Sequence, residues 1–214
     1  MSPTVFAAVL TAALLHAVWN ALVKSGGDRL LVLAAVNCTS ALAAVPMVAM
    51  AAFPAAESWP WLLSSAVLHC GYYFFLVQAY QVGDLAHVYP LARGTAPLLV
   101  TGGAALLAGE VLPTGAVVGV CIACAGIVSL AFEGGPPWRR DARAVWYALA
   151  TSGFIGAYTI VDGLGVRASG SPLGYIGWLF LIDGIPITVF ALARRPGVVR
   201  PFLRREWWRC TGVG

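Results

Sequence analysis

Apolar segments about as long as a membrane is thick recur along this chain and restrict what it can fold into. A helix needs roughly 20 largely apolar residues to cross the hydrocarbon core, and backbone groups inside lipid must be paired within the helix. Of the 214 residues 60% are hydrophobic and 10% are charged, against about 25% charged in ordinary soluble domains. The sequence therefore predicts an all-α polytopic protein of the cell (inner) membrane, multi-pass and in contact with the lipid bilayer.

Short polar breaks, rich in Gly, Pro, Ser or charge, separate about seven such segments. The predicted spans are 4–23, 30–53, 59–82, 86–107, 113–132, 144–166 and 173–193. The most polar break, EGGPPWRRDAR at 133–143, divides five spans from two and predicts a linker between inverted repeats. The predicted organisation is a five-helix repeat over 1–132, two helices of a second repeat over 144–193, and a basic tail over 194–214.

The segment 84–110 carries an arginine and two prolines near its middle. A charge at bilayer depth is costly and usually marks a solute pathway. Tyr89, Arg93 and Pro97 follow at four-residue steps, so a helix places them on one face. Pro90 and Pro97 lack an N–H and leave two backbone carbonyls near the guanidinium without a helical donor. This segment is the strongest candidate for a binding site.

Arginine presents a fixed fork of donors that suits carboxylate or phosphate, so the solute expected at Arg93 is a small anionic or zwitterionic molecule. The alternative is an internal ion pair with Asp162 or Asp183 that holds helices in register. Either aspartate is also a candidate for proton coupling, which would require a carboxylate inside or near a span.

Two other spans carry polar stripes. In the first, His16, Asn20 and Lys24 share one helix face with Trp19 beside them, so His16, Trp19 and Asn20 are candidate substrate contacts. A hydrogen bond from Asn20 to another helix and snorkelling of Lys24 are the alternatives.

The third span carries His69, Tyr72, Tyr73 and Tyr80 on one side, and Tyr72 is a candidate cavity residue. The alternative for this set is an interfacial aromatic belt at Tyr80 and a core hydrogen bond at His69.

The fifth span carries Gly115, Gly119 and Ala123 at four-residue intervals, which indicates close helix packing, either within the chain or in a homodimer. Cys121 and Cys124 form a CxxC without a second ligand pair, so packing is expected there, with no metal and no cofactor. The net charge of +4 is small and dispersed, which gives nucleic-acid binding little support.

Three motifs carry a resemblance to a known family: HAVWNALVK at 16–24, GDLAHVYPLARGTAPLL at 83–99, and the GE at 109–110. Together they resemble EamA-type members of the drug/metabolite transporter superfamily. The resemblance implies ten helices in two inverted five-helix repeats around a central solute cavity, with no covalent chemistry. It also makes candidate cavity residues of His16, Trp19, Asn20, Tyr89 and Arg93.

The chain departs from that pattern after the seventh span, because its tail contains no further apolar segment and three helices of the second repeat have no counterpart. A truncated gene, a frameshift near Trp208 and an incomplete fragment are the open explanations. The expected function is a secondary transporter, or a fragment of one, working by alternating access. The alternatives are a non-transporting membrane subunit and a membrane enzyme using His16, His69 or His87.

Overall fold

The computed structural model of the chain is dominated by long helices. It describes residues 3–7, 9–11, 13–14, 29–139, 141–194 and 197, and none of these lies in a β-strand. The described part of the first predicted span, between residues 3 and 14, is helical as well. The all-α prediction is therefore confirmed for the described part of the chain.

Six long helices occupy the described chain from residue 29 onward. They are α1 (Arg29–Met50), α2 (Trp59–Val82), α3 (Leu85–Leu107), α4 (Thr114–Leu130), α5 (Ala142–Ser169) and α6 (Pro172–Arg194). Their ends differ from those of the predicted apolar segments by three residues at most. The polar breaks therefore lie where the sequence predicts them.

Aspartate side chains define where two of these helices begin. Asp84 Oδ1 accepts a hydrogen bond from the Ala86 N–H at 2.9 Å before α3, and Asp141 Oδ1 accepts one from the Arg143 N–H at 2.8 Å before α5. Such a cap pairs an N–H that the helix leaves open and stabilises it by about 1 kcal/mol. α5 ends at Gly170, which has a φ of 63° in the left-handed region that favours glycine.

Three segments in the described chain are long and apolar enough to cross a membrane. They are Ala56–Val82, Ala142–Ser169 and Pro172–Arg194. Two shorter apolar helical stretches are Ala34–Met50, which is part of α1, and Thr114–Leu130, which is α4. The 17 residues of α4 rise only about 26 Å, less than the roughly 30 Å of the hydrocarbon core.

α3 has 23 residues but is not among the three clear spans, because Arg93, two prolines and three glycines lower its mean hydropathy. The three spans support a membrane protein. The predicted count of seven spans and the five-plus-two repeat organisation stay predictions.

The chain from Val48 to Leu179 forms one compact unit. Within it α5 packs against both α2 and α3, and α3 packs against α4. A core between these helices consists mostly of alanine and contains Ala79, Val88, Leu91, Ala92, Ala131, Ala144 and Ala148. Small side chains let helix backbones approach closely, which favours association in a bilayer where lipid is as apolar as the helix surfaces.

Glycines mark two of the closest helix contacts in this unit. A Cβ on Gly94 would lie 2.8 Å from Cγ2 of Val128, and one on Gly156 would lie 3.0 Å from Cβ of Leu99. Both distances are shorter than ordinary van der Waals contacts between carbon atoms. α3 therefore meets α4 and α5 at positions where a larger residue would push the helices apart.

The small-residue stripe on α4 has different surroundings. A Cβ on Gly115 or Gly119 would meet no described atom of another helix within 4 Å, and Ala123 is exposed. No other described helix therefore packs on this stripe, and a homodimer through it stays a prediction.

The second unit comprises the described residues of Met1–Met47 and Phe180–Gly214, which include most of α1 and the end of α6. Its helices meet at Gly184, where a Cβ would lie 2.7 Å from Cβ of Ala41. The division into these two units does not follow the predicted repeats, whose symmetry stays a prediction.

Replacing Gly165 by Ala is expected to destabilise the unit Val48–Leu179. A Cβ on Gly165 would overlap the ring of Tyr175, which is fully buried and donates a hydrogen bond to Asp162. Overpacking of this kind costs about 1–3 kcal/mol. Thermal unfolding of the purified protein in detergent should therefore give a lower melting temperature for Gly165→Ala than for wild type.

Gly153→Ala is the matched control on the same helix, because a Cβ there would meet nothing within 4 Å. Alanine is favoured over glycine in a helix interior by roughly 1 kcal/mol, so this variant should be at least as stable as wild type. Equal melting temperatures for the two variants would contradict the close contact between α5 and Tyr175.

Candidate functional site

The candidate site is built around the middle of α3, which stays helical although Pro90 and Pro97 lie inside it. Proline has no N–H, so the carbonyl oxygens four residues earlier, on Ala86 and Arg93, receive no helical hydrogen bond from it. α3 therefore carries the Arg93 cation together with two carbonyl oxygens that receive no hydrogen bond from the residue four positions further along the helix.

The Arg93 guanidinium lies among tyrosine hydroxyls. Its Nη2 donates a long hydrogen bond of 3.5 Å to Oη of Tyr72. Tyr80, Tyr89 and Tyr158 are close enough to interact with it electrostatically, and these four tyrosines are called the tyrosine cluster below. Among the described residues, no carboxylate oxygen of Asp or Glu lies within 4.0 Å of this guanidinium. Its positive charge is therefore not paired within the described chain.

Ring contacts connect the tyrosine cluster to His69 on α2. The imidazole of His69 stacks on the Tyr158 ring with centroids 4.0 Å apart and planes at 23°. Tyr72 meets both rings edge-on, at 6.5 Å from His69 and 5.8 Å from Tyr158, and it also contacts Tyr73 at 5.1 Å. Pairs of this geometry contribute about 0.5–1.5 kcal/mol each beyond area burial. They hold α2 and α5 in one arrangement around Arg93.

His69 and Asp162 each make hydrogen bonds of their own near the tyrosine cluster. Nδ1 of His69 lies 3.0 Å from the carbonyl oxygen of Ser65 and 3.3 Å from its Oγ. Because a carbonyl oxygen can only accept, Nδ1 carries a hydrogen and donates it. Separately, Oδ1 of Asp162 accepts a hydrogen bond from Oη of Tyr175 at 3.3 Å, which joins α5 to the start of α6.

A separate hydrogen bond joins α3 to α5 near the site. Oγ1 of Thr95 donates to Oγ of Ser152 at 2.7 Å, and Ser152 is fully buried. Side-chain bonds between helices of this kind fix their relative register in a membrane protein. Thr95 lies two residues after Arg93, so this bond helps to position the guanidinium.

The structure brings part of the predicted site together. Tyr72, Tyr89 and Arg93 share one cluster in the unit Val48–Leu179. Asp162 belongs to the same unit but bonds Tyr175, and its carboxylate is not within 4.0 Å of Arg93. The predicted alternative of an Arg93–Asp162 ion pair is therefore not what this structure contains.

The other predicted residues do not join this cluster in the described chain. His16, Trp19 and Asn20 lie outside the described residues, so their place in a cavity stays a prediction. Asp183 is buried on α6 in the second unit, with 6% of its surface exposed. Its predicted role in coupling or ion pairing also stays a prediction.

The sequence prediction missed Ser65, Tyr158 and Tyr175 as residues of the site. The sequence did contain an indication for Ser65 and Tyr158, because Ser65 lies four residues before His69 and Tyr158 lies four residues before Asp162. Helical residues four apart share a face, so Ser65 and Tyr158 could have been predicted to lie beside the candidates His69 and Asp162. Nothing in the sequence indicated that Tyr175, on another helix, would reach Asp162.

A cavity of about 230 Å³ lies away from Arg93, where α2 ends and α5 begins, with Asp84, His87 and Asp141 in its wall. The two aspartates cap helices, and Nε2 of His87 donates to the carbonyl oxygen of Glu133 at 2.9 Å. These polar groups stabilise the local structure, so the cavity is a weaker candidate than the Arg93 site.

The part of the chain that the structure describes contains no group of three His, Cys, Asp or Glu side chains placed to hold a metal ion. His69 and His87, two of the bases considered for an enzyme, hydrogen-bond main-chain carbonyls of Ser65 and Glu133. Nδ1 of His69 also lies 3.3 Å from Oγ of Ser65, but because it donates its hydrogen to the Ser65 carbonyl it cannot act as a base for that hydroxyl in this arrangement.

Comparison with known proteins finds no relative: no protein-family model, no curated protein and no solved structure matches this chain. The functional proposal therefore rests on the geometry around Arg93.

Replacing Thr95 by Val is expected to destabilise the contact between α3 and α5. The change keeps the side-chain shape but removes the hydroxyl that bonds the fully buried Ser152. Loss of one partner of a buried hydrogen bond costs about 1–3 kcal/mol. The melting temperature of Thr95→Val in detergent should fall below that of wild type.

Thr159→Val is the control for this change, because the exposed Thr159 hydroxyl bonds only the Ile155 carbonyl of its own helix among the bonds found here. It should leave stability nearly unchanged. If Thr95→Val were as stable as this control, the bond between α3 and α5 would not contribute to the fold.

Proposed function

We propose that this chain is an integral membrane transporter, or part of one, that binds a small anionic or zwitterionic metabolite at Arg93 and moves it by alternating access. The single observation that carries the proposal is the Arg93 guanidinium, set among four tyrosines without a carboxylate within 4.0 Å in the described chain. The motif resemblance to EamA-type transporters agrees with it.

The charge of Arg93 explains why a ligand is expected. Arg93 is half-buried, so its charge loses part of its hydration, and proteins compensate with a counter-charge that here the described residues do not supply. An anionic solute would supply it, because the planar guanidinium can bind a carboxylate or sulfonate through two parallel N–H donors. Tyrosine hydroxyls around it can donate further hydrogen bonds to the same anion.

The carbonyl oxygens of Ala86 and Arg93 explain why a zwitterion is also included. Proline at 90 and 97 leaves each of them without its helical donor. An ammonium group next to a bound carboxylate could donate to such carbonyls, as unwound or interrupted helices do in other transporter sites. The tyrosine rings favour a solute with an apolar or aromatic part.

The depth of Arg93 favours transport over binding at the membrane surface. Arg93 is the ninth residue of α3, which places it about 12 Å from the start of the helix. A site at that depth in a hydrocarbon core of roughly 30 Å is reached only through the protein interior. Transporters place solute sites near the midplane and open them alternately to each side.

Arg93→Gln is expected to weaken anion binding. Gln keeps a polar side chain but removes the charge, and a hydrogen bond to a charged group is worth about 1.5–3 kcal/mol, so affinity should fall about 10- to 100-fold. Binding of radiolabelled benzenesulfonate, pyruvate and alanine to the purified protein in nanodiscs measures this effect. Uptake of the bound compounds into proteoliposomes tests transport.

Arg143→Gln is the matched control, since Arg143 is exposed outside the site and makes only a long surface contact of 3.8 Å with Asp141. It should bind and transport as wild type does. Equal affinity of Arg93→Gln and Arg143→Gln would remove Arg93 from the site. Binding at Arg93 without uptake by wild type would contradict the transport part of the proposal.

A further inference from the structure

Tyr72 reaches the Arg93 guanidinium with a hydrogen bond, and its placement bears on which solutes the site accepts. We propose that Tyr72 is a positioning residue: its hydroxyl holds one side of the guanidinium, so that a solute binds through the remaining pair of parallel N–H donors. The site then selects an anion with two oxygens on one atom, a carboxylate or sulfonate, over an anion with a single charged atom. This inference rests on the proposed function and deepens it, because it names the chemistry that the site selects.

The guanidinium of an arginine carries five N–H groups, four of which form two pairs of parallel donors. One pair consists of Nε–H and a hydrogen of Nη2, and the other consists of the second Nη2 hydrogen and a hydrogen of Nη1. Each pair matches the two oxygens of a carboxylate. The bond from Nη2 of Arg93 to Oη of Tyr72 uses one Nη2 hydrogen. It therefore occupies one pair and leaves the other pair complete.

The complete pair has no acceptor in the part of the chain that the structure describes. No second hydrogen bond from the Arg93 guanidinium is found there, and no Asp or Glu oxygen lies within 4.0 Å of it. Arg93 is half-buried, so water reaches its side chain only in part. A solute with two suitably spaced oxygens can therefore bind the donors that Tyr72 leaves unused.

Ring packing keeps the Tyr72 hydroxyl in one place. Tyr72 is buried, with 7% of its surface exposed. Its ring meets the rings of His69, Tyr73 and Tyr158 at centroid distances of 6.5, 5.1 and 5.8 Å. The helices that carry the bond are also held relative to each other, because α5 packs against both α2 and α3. Tyr72 is therefore the fixed partner, and the long, flexible side chain of Arg93 is the one that is oriented.

The length of this bond favours orientation over neutralisation. At 3.5 Å it is longer than the usual N–H···O distance of about 2.7–3.2 Å, and its acceptor is an uncharged hydroxyl. Tyr72 therefore directs the guanidinium without compensating its positive charge. The charge still attracts an anion, while the direction of the free donors determines which atoms of that anion they meet.

Two probes with the same ring separate this selection from attraction by charge alone. Pentafluorobenzoate presents two oxygens on one carbon, pentafluorophenolate presents one charged oxygen, and both are monoanions at neutral pH. Each competes with radiolabelled benzenesulfonate for the full chain in nanodiscs. Because a hydrogen bond to a charged group changes affinity about 10- to 100-fold, wild type should bind the benzoate at least about tenfold more tightly than the phenolate.

Tyr72→Phe keeps the ring and its packing but removes the hydroxyl that orients Arg93. The affinity for pentafluorobenzoate should fall about 3- to 10-fold, because binding must then order a flexible side chain. The affinity for pentafluorophenolate should stay nearly unchanged, because a single oxygen does not require one particular pair of donors. A purely structural effect would weaken both probes alike and leave the ratio of their affinities at the wild-type value.

Tyr147→Phe is the matched control, because Tyr147 is half-buried in the same compact unit and contacts Phe75 outside the tyrosine cluster. It should keep the wild-type ratio. Should Tyr72→Phe fail to fold, the ratio is measured with 4-fluorophenylalanine in place of Tyr72, which fills the volume of the hydroxyl but accepts hydrogen bonds poorly.

Arg93→Lys tests whether Tyr72 acts through the guanidinium, since lysine keeps the charge but lacks parallel donors. In this background the two probes should bind alike, and adding Tyr72→Phe should leave their ratio unchanged. If Tyr72→Phe lowers the ratio equally in both backgrounds, Tyr72 contacts the solute directly and the positioning role is overturned.

Each remaining result overturns a defined part. Equal binding of the two probes by wild type overturns the selection and leaves the anion site standing. A ratio that is not lowered by Tyr72→Phe overturns the role of Tyr72. Failure of wild type to bind benzenesulfonate or either probe overturns the proposed function, and the selection with it.

Discussion

The Arg93 guanidinium, half-buried in the middle of α3 without a carboxylate partner in the described chain, is the constraint on which the rest of this structure depends. A charge there is tolerated only if surrounding groups replace part of its hydration. Here the Tyr72 hydroxyl accepts a hydrogen bond from the guanidinium, and tyrosines of α2, α3 and α5 lie near enough to interact with its charge. Their rings also pack, so the same side chains that solvate the cation hold the helices together.

A second half-buried charge of the unit Val48–Leu179, the Asp162 carboxylate, does not pair with the Arg93 guanidinium. Asp162 accepts a hydrogen bond from the Tyr175 hydroxyl, while Arg93 donates one to the Tyr72 hydroxyl. Because the two groups do not form an ion pair, the guanidinium donors of Arg93 are not taken up by this carboxylate. A direct pair would satisfy both groups and would weaken the case for an anion at Arg93.

The sequence predicts the helices well and the site only in part. The bounds 59–82 predicted for the third span are those of α2, because apolar length and polar breaks are local properties. Spacing on α3 likewise placed Tyr89 and Arg93 on one side. The stacking of His69 on Tyr158 and the bond from Tyr175 to Asp162 depend on which helix faces which. Which helices face each other depends on close contacts at residues such as Gly165 and Gly156. The sequence of a single helix does not show which residue of another helix each glycine contacts.

The most direct test of the central claim, that Arg93 binds an anion, is a structure of the protein with 4-bromobenzenesulfonate, in which the bromine can be located by anomalous scattering. The account predicts a sulfonate against the Arg93 guanidinium, within hydrogen-bonding distance of Tyr72, and a bromine among the tyrosine rings. An anion bound elsewhere, with Arg93 paired to a carboxylate of the chain itself, would contradict it.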